Sequence, residues 1–446
     1  MEPSLPWSVL KSMVRIEEGE STMLDLSTST LSQRNTEYVV AFFKAIAAAK
    51  PIPGRGKPSA IGLTIRCRFN SLRALIVLCD YLVSKDCQIK ILILSLTNLK
   101  QQQVHLLFTA LSSNQSVKEF AIYATKHNEE TMPLAGASVR SLLEKNKGIQ
   151  KLTLVRLHLP MECYREIAKG LTNNSLCSLS LDSSTIHSEA TEILLQALTT
   201  TSTINHLHLG YLAMSKRALE FVVALVCRKG STLKEVSIVD PLVEVVERPL
   251  NYAGLLAPDS SIEKLTLDSC AIKDDSATLI FSALERNETL RDLNMPRNFL
   301  SQSGYFVMLN SMKHWSYLWR LGVDGGGELL SCQEHLIQGM RSNRSLHHLG
   351  LETFELGPYN PHIRAHTRRF LRRNRRLDKV RKLLDKIQCN NQAEQSLPPG
   401  LWPHILKSVS CLKRDGIEVT ELYQVVSTHA VAWPVFQRSS DNAKSA

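Results

Sequence analysis

A chain of 446 residues with 43% hydrophobic and 21% charged residues has the composition of a folded protein with ample side chain for a core. No stretch approaches the roughly 18 uninterrupted apolar residues of a membrane span, and the start, "MEPSLPWSVLKSMVRIEEGE", lacks a basic segment, apolar run and small-residue cleavage site. The net charge is +11, and the ten cysteines are scattered without a Cys-x-x-Cys pair, which argues against a disulfide framework or zinc module and leads us to expect reduced thiols in the cytosol or nucleus.

Residues 1–20 are expected to form an N-terminal cap segment. The first strand candidates are "MLDLS" from Met23 and "IGLTI" from Ile61, separated by "PIPGRGKPSA" (51–60), which reads as a lengthened loop. Then a pattern sets in: "IKILIL" from Ile89, "VKEFAI" from Val117, "IQKLTL" from Ile149, "LCSLSL" from Leu176 and "INHLHL" from Ile204. It continues with "LKEVSI" from Leu233, "IEKLTL" from Ile262, "LRDLNM" from Leu290, "LWRLGV" from Leu318 and "LHHLGL" from Leu346. The fourth position steps from Leu92 to Phe120 in 28 residues, then by 32 to Leu152, and by 27 to 29 thereafter. Alternation over so short a run predicts strands. Between them, "SLLEKNK" (141–147), "TEILLQALTT" (191–200), "SATLIFSALERN" (276–287) and "EHLIQGMRSN" (334–343) carry helical periodicity.

Asn287-Glu-Thr matches a glycan acceptor, but Asn114, Asn146, Asn173 and Asn343 recur at the same place, three residues before a strand's first apolar position. The recurrence predicts a helix-ending role, in a left-handed conformation that asparagine tolerates, rather than glycosylation.

This strand–turn–helix unit resembles the leucine-rich repeat, in particular the ribonuclease-inhibitor-like type with units of about 28 residues. "LRDLNMPRNFL" is the fullest match, with Leu290, Leu293, Met295, Asn298 and Leu300 in the L-x-x-L-x-L-x-x-N-x-L positions. Other units carry Thr97, Leu157, Ser184, Leu212, Pro241, Cys270, Gly326 or Phe354 where Asn298 stands, so less regular turns are expected between Ile149 and Asp259. The resemblance implies an α/β solenoid (horseshoe) of about 10–12 units over residues 21–355, with parallel strands on the concave face and helices on the convex face.

Residues between the strand leucines then face the concave surface. One column runs Lys151, Ser178, His206, Glu235, Lys264, Asp292, Arg320, His348; a middle column is small and polar; a third holds Asp182, Asp268, Asp324 and Glu352. The sign alternation from Glu235 to Arg320 reads as a lateral salt-bridge ladder, and the acidic third column suits a basic ligand. Partner contacts are expected among Asp182, His206, His208, Glu235, Lys264, Asp268, Asp292, Arg320, Asp324, His348 and Glu352. His206, His208 and Glu235 lie on parallel tracks rather than converging as metal ligands.

Catalytic motifs fail on inspection. "GRGKPS" (54–59) has Pro51 where a phosphate loop needs glycine, and Pro58 where it needs a hydroxyl. "DGGGELL" (324–330) lacks dinucleotide spacing, and neither Gly-x-Ser-x-Gly nor His-Glu-x-x-His occurs. No enzyme activity, metal or cofactor is expected.

Past the repeats, residues 356–435 read as a helical, partly basic cap and 436–446 as a disordered tail. Residues 364–386 hold eleven Lys/Arg against Asp378 and Asp385. Ile363, Phe370, Leu377 and Leu384 recur every seventh position, an amphipathic helix or helix pair whose stripe closes the array. Arg368, Arg369, Arg372, Arg373, Arg375 and Arg376 form a basic face open to nucleic acid or an anionic surface. "SLPWSVLKSM" (4–13) echoes "GLWPHILKSV" (400–409), and "LPWSVLKSM" resembles the opening of an F-box, an adaptor motif of ubiquitin-ligase substrate receptors. The expected function is a non-catalytic intracellular scaffold that binds a protein on its concave face. An F-box-like adaptor and a binder of nucleic acid or acidic surfaces are the alternatives.

Overall fold

A computed structural model describes residues 22–26, 61–65, 72–95, 100–123, 136–156, 159–172, 175–182, 186–200, 203–242, 250–323, 329, 331–351 and 361–390. The expected N-terminal cap (1–20), the 54–59 loop, Asn173, Asp324, Glu352 and the 391–446 segment lie outside these residues. The chain divides into two compact units, residues 1–255 with 259–262, and residues 256–258 with 263–446.

In the first unit the strands are β1 (Thr22–Leu26), β2 (Ile61–Ile65), β3 (Ile89–Ser95), β4 (Glu119–Tyr123), β5 (Lys151–Val155), β6 (Ser178–Asp182), β7 (His206–Gly210) and β8 (Glu235–Val239). Each pairs in parallel with the next. The two faint candidates at Met23 and Ile61 are therefore strands. The helices are α1 (Leu72–Val83), α2 (Gln101–Ser113), α3 (Gly136–Lys145), α4 (Met161–Thr172), α5 (Ser188–Leu198) and α6 (Lys216–Cys227). The second unit repeats the plan with β9 (Lys264–Asp268), α7 (Asp274–Leu284), β10 (Asp292–Met295), α8 (Gln302–Ser311), β11 (Arg320–Val323), α9 (Gln333–Ser342), β12 (His348–Leu351) and α10 (Pro361–Asn390). Between β8 and β9 a 3₁₀ helix, Tyr252–Leu256, stands where other repeats have an α-helix, and the division between units falls there.

The register aligns the apolar positions. Phe120, Leu152, Leu179, Leu207 and Val236 are successive partners in the first unit, and Leu265, Leu293, Leu321 and Leu349 in the second. All but Leu349 are buried. Full burial of each such side chain contributes about 1.5–3 kcal/mol, and the two-residue period leaves the residues between them outside. Local chemistry starts several helices: Ser215 Oγ accepts from the Ala218 amide at 3.0 Å and Ser301 Oγ from the Ser303 amide at 3.1 Å.

Helix ends show how one repeat is fastened to the next. Asn114, Asn146, Asn287 and Asn343 are buried. Asn343 Oδ1 accepts from the amides of Ser345 (3.1 Å) and Leu346 (2.7 Å), while its Nδ2 donates to the preceding repeat at Met312 O (2.7 Å) and Trp315 O (3.3 Å). Asn146 and Asn287 follow suit, toward Leu111 and Asn114 and toward Leu256 and Ala257. The asparagines do end helices, but Asn114 and Asn343 have extended backbones (φ −75 and −73) rather than left-handed ones. They are chosen for an amide that accepts within its own turn and donates backward. The left-handed residues are Arg156, Tyr211, Asp240 and Ser269, each directly after a strand, with Ala271 and Arg297 nearby. Such conformations cost about 1–3 kcal/mol for a residue with a Cβ. Arg156 N–H and Tyr211 N–H offset part of it by donating at 2.8 Å to Asp182 O and Val239 O of the next repeat.

Helix α10 meets the preceding repeat as the asparagines do. Arg373, 3% exposed, donates from its guanidinium to Arg341 O (2.9 Å), Met340 O (3.2 Å) and Asn343 O. Asn374, fully buried, donates to Leu346 O at 2.8 Å and Asn343 Oδ1 at 3.3 Å. The expected heptad stripe is corrected here. Leu377 is buried, but Phe370 is half-exposed, and the buried face comprises Thr367, Leu371, Arg373, Asn374 and Leu377. The side chains of Ile363 and Leu384 lie outside the described residues.

Candidate functional site

The strand face of each unit carries the outward rows that the repeat spacing predicts. In the first unit Glu119, Lys151, Ser178, His206 and Glu235 are successive register partners; in the second, Lys264, Asp292, Arg320 and His348. Every one is exposed or half-exposed among the described residues.

Charges in these rows satisfy one another. Lys151 Nζ lies 3.4 Å from Glu119, His206 Nδ1 3.1 Å from Glu235 and Arg320 Nε 3.8 Å from Asp292. Exposed pairs of this kind are worth about 0–1 kcal/mol each, so a partner can displace them. Asp268 is different. Arg297 grips it with Nε at 2.7 Å and with a second guanidinium nitrogen, and the carboxylate is only 14% exposed. Of the expected acidic residues, Asp268 and Asp292 are each paired with an arginine, and Asp324 and Glu352 lie outside the described residues.

His208 lies in the middle row, where Nδ1 is 3.0 Å from Ser237 Oγ. Burial lowers the His208 pKa from its usual value, and the Asp182 carboxylate pulls weakly the other way. Asp182, His208 and Ser237 supply the residue types of a hydrolytic triad. The strand amides around them belong to the parallel ladder, so no pair of amides is positioned as an oxyanion hole. Among the described residues, no three His, Cys, Asp or Glu side chains gather as a metal site.

Arg368, Arg369, Arg372 and Arg375 are exposed on α10, and Arg376 is half-exposed. Arg373 leaves this face; it is spent on the repeat's open carbonyls, so it presents no charge to a ligand.

Sequence reasoning missed a cluster on the rim where strands of the second unit begin. Directly upstream of the first row stand Arg291, Trp319 and His347, joined by Trp319 N–H to Arg291 O (2.8 Å) and His347 N–H to Trp319 O (2.7 Å). The Arg291 guanidinium lies 4.9 Å from the Tyr317 ring centroid and 5.5 Å from that of Trp319. His347 stacks on Trp319 at 5.7 Å and 14°, and Lys382 Nζ of α10 lies 4.7 Å from the same ring. Tyr317 is 37% exposed and Trp319 38%. The signal was available: this column alternates with buried leucines on one side and row residues on the other, but only the rows were followed.

No family model matches the chain. Among curated proteins it is similar to "NACHT, LRR and PYD domains-containing protein 4C" of Mus musculus, 23% identical over 239 residues that cover 53% of this chain and 24% of that protein. It is also similar to "NACHT, LRR and PYD domains-containing protein 3" of Rattus norvegicus, 24% identical over 262 residues, 58% of this chain and 24% of the relative. The matched stretch thus spans about a quarter of the length of these relatives. Among solved structures, the tropomodulin C-terminal domain of Caenorhabditis elegans matches with a TM-score of 0.28 and 16% identity, over 44% of this chain and 97% of that one. Leiomodin-1 Actin-Binding Site 2 matches with a TM-score of 0.25 and 15% identity, over 52% and 95%. No helix among the described residues is long and apolar enough to cross a membrane.

Proposed function

Since the chain is a leucine-rich-repeat protein, we propose that it is a non-catalytic interaction scaffold whose strand face binds a protein partner, in the cytosol or nucleus. The ribonuclease-inhibitor-like subtype rests on its spacing of about 28 residues. The observation that carries the functional reading is the strand face, whose row residues are exposed or half-exposed among the described residues. Its rows of polar side chains are held in register by a buried leucine ladder and, beside Asp268, by a bidentate arginine. Side chains on such a rigid sheet lose little freedom on binding, and the weak lateral ion pairs exchange for intermolecular ones with little net loss. A row of exposed polar side chains repeated from strand to strand suits a macromolecule better than a small substrate, which needs a pocket that encloses it.

The test is affinity capture with quantitative mass spectrometry on the parent chain and two folded variants. Lys151→Glu with Glu235→Lys alters the first unit's face, and Lys264→Glu with Thr266→Arg the second's. Specific partners should be lost with at least one variant. Retention of every partner by both removes the strand face as the binding surface.

A further inference from the structure

Resting on the reading of the chain as a protein-binding scaffold, we infer that the Arg291–Tyr317–Trp319–His347–Lys382 rim of the second unit receives an acidic, extended segment of the partner. Arg320 and Asp292, and Arg297 and Asp268, pair with each other in this unit, whereas Arg291 is held by two aromatic rings and by one carbonyl, Tyr317 O at 3.3 Å. No carboxylate among the described residues pairs with it. A guanidinium positioned by two rings and one carbonyl is preorganised for carboxylate recognition. Lys382 adds a second cation at the same indole, with Asp378 at 2.8 Å as its exchangeable partner. From there the exposed row Arg368, Arg372, Arg375 and Lys379 continues along α10, giving a strip of one sign next to two half-exposed aromatic residues.

The ring geometry decides the class of ligand. Single-stranded nucleic acid binds basic grooves by stacking bases on free aromatic faces. Here Trp319 already has His347 stacked on it and Arg291 and Lys382 over it, and Tyr317 has Arg291 over it. The cations and the stacked imidazole occupy the positions over these rings that a base would need. That combination fits aliphatic or aromatic side chains set between carboxylates, and it places Trp, Tyr and Arg together, the residue types that dominate protein interfaces.

The test uses the full chain and fluorescence anisotropy with labelled probes: a peptide rich in Asp and Glu with interspersed leucines, the same peptide with Lys at its acidic positions, and an oligothymidylate. The acidic peptide should bind and the Lys peptide should not. Arg291→Glu, and separately Trp319→Ala, should weaken the acidic probe about thirtyfold, as loss of a dominant interface residue does. Arg291 is exposed enough that its variant should fold, which circular dichroism checks. Failure of the acidic peptide to bind, an Arg291→Glu variant that binds like the parent, or tighter binding of oligothymidylate with the same sensitivity would each overturn the inference. The two readings separate cleanly. Captured proteins lost with Lys264→Glu and Thr266→Arg but kept with Arg291→Glu refute the rim alone. Captured proteins kept by the strand-face variants but lost with Arg291→Glu refute the strand face alone.

Discussion

Replacing Arg373 by methionine keeps most of the aliphatic stem's volume but removes the charge and every donor. In the parent, the guanidinium serves three carbonyls at the end of α9, Met340, Arg341 and Asn343, and its Nε donates to Asn374 Oδ1 at 3.1 Å. A buried acceptor left without a donor costs about 1–3 kcal/mol. These carbonyls share one donor group and loosen together, so their costs combine less than additively, and about 3 kcal/mol is expected for the second unit. Arg368→Gln with Arg372→Gln removes two exposed charges from the same helix and should stay within about 0.5 kcal/mol of the parent. Urea titration followed by far-ultraviolet circular dichroism reads both, because the slope reports whether the same unit unfolds. An Arg373→Met variant as stable as the parent, or a double variant equally damaged, would refute the assignment of α10's buried edge.

Asn343→Asp is isosteric but cannot donate to Met312 O and Trp315 O, so it should destabilise the second unit by about 2 kcal/mol or more in the same titration. Leu265→Asp places a carboxylate in a position with no exposure and should abolish the cooperative transition; a parent-like melt would remove the strand assignment. His208, whose pKa is lowered by burial against the weaker pull of Asp182, takes up its proton more readily in the unfolded chain. The first unit should therefore hold full stability above the usual imidazole value of about 6.5 and lose some as pH falls through it. Denaturation midpoints at about pH 7.5 and about pH 5.5 should differ less in His208→Gln than in the parent, and an equal difference would assign the effect to another group.

The strands and their register were legible because each is dictated locally: an apolar residue at every second place, at a near-constant spacing. The helix-ending asparagines were legible as positions but not as chemistry. Nothing in a single repeat reveals that Asn146 Nδ2 donates to Leu111 and Asn114, residues 35 and 32 places upstream. Left-handed backbone was placed at the asparagines on propensity, whereas Arg156 and Tyr211 adopt it at strand exits, where the tertiary hydrogen bond outweighs preference. The α10 stripe was misjudged for a similar reason: a heptad count ranks Phe370 above Arg373, and only the open carbonyls of α9 make an arginine the better core residue. The rim was missed because its members come from three strands' approaches and a helix, and no window of sequence holds Arg291, Trp319 and Lys382 together.

The substitution of Arg373 and Asn374 for the next asparagine bears on how such a chain changes in evolution. Arg373 takes Met340 O and Asn343 O just as Asn146 takes Leu111 O and Asn114 O, so α10 reads only the repeat directly before it. Duplicating an asparagine-ended unit upstream of Asn343 would lengthen the array and leave its terminus compatible. A whole repeat inserted upstream of Asn343 would therefore leave every contact of α10 with Met340, Arg341, Asn343 and Leu346 in place.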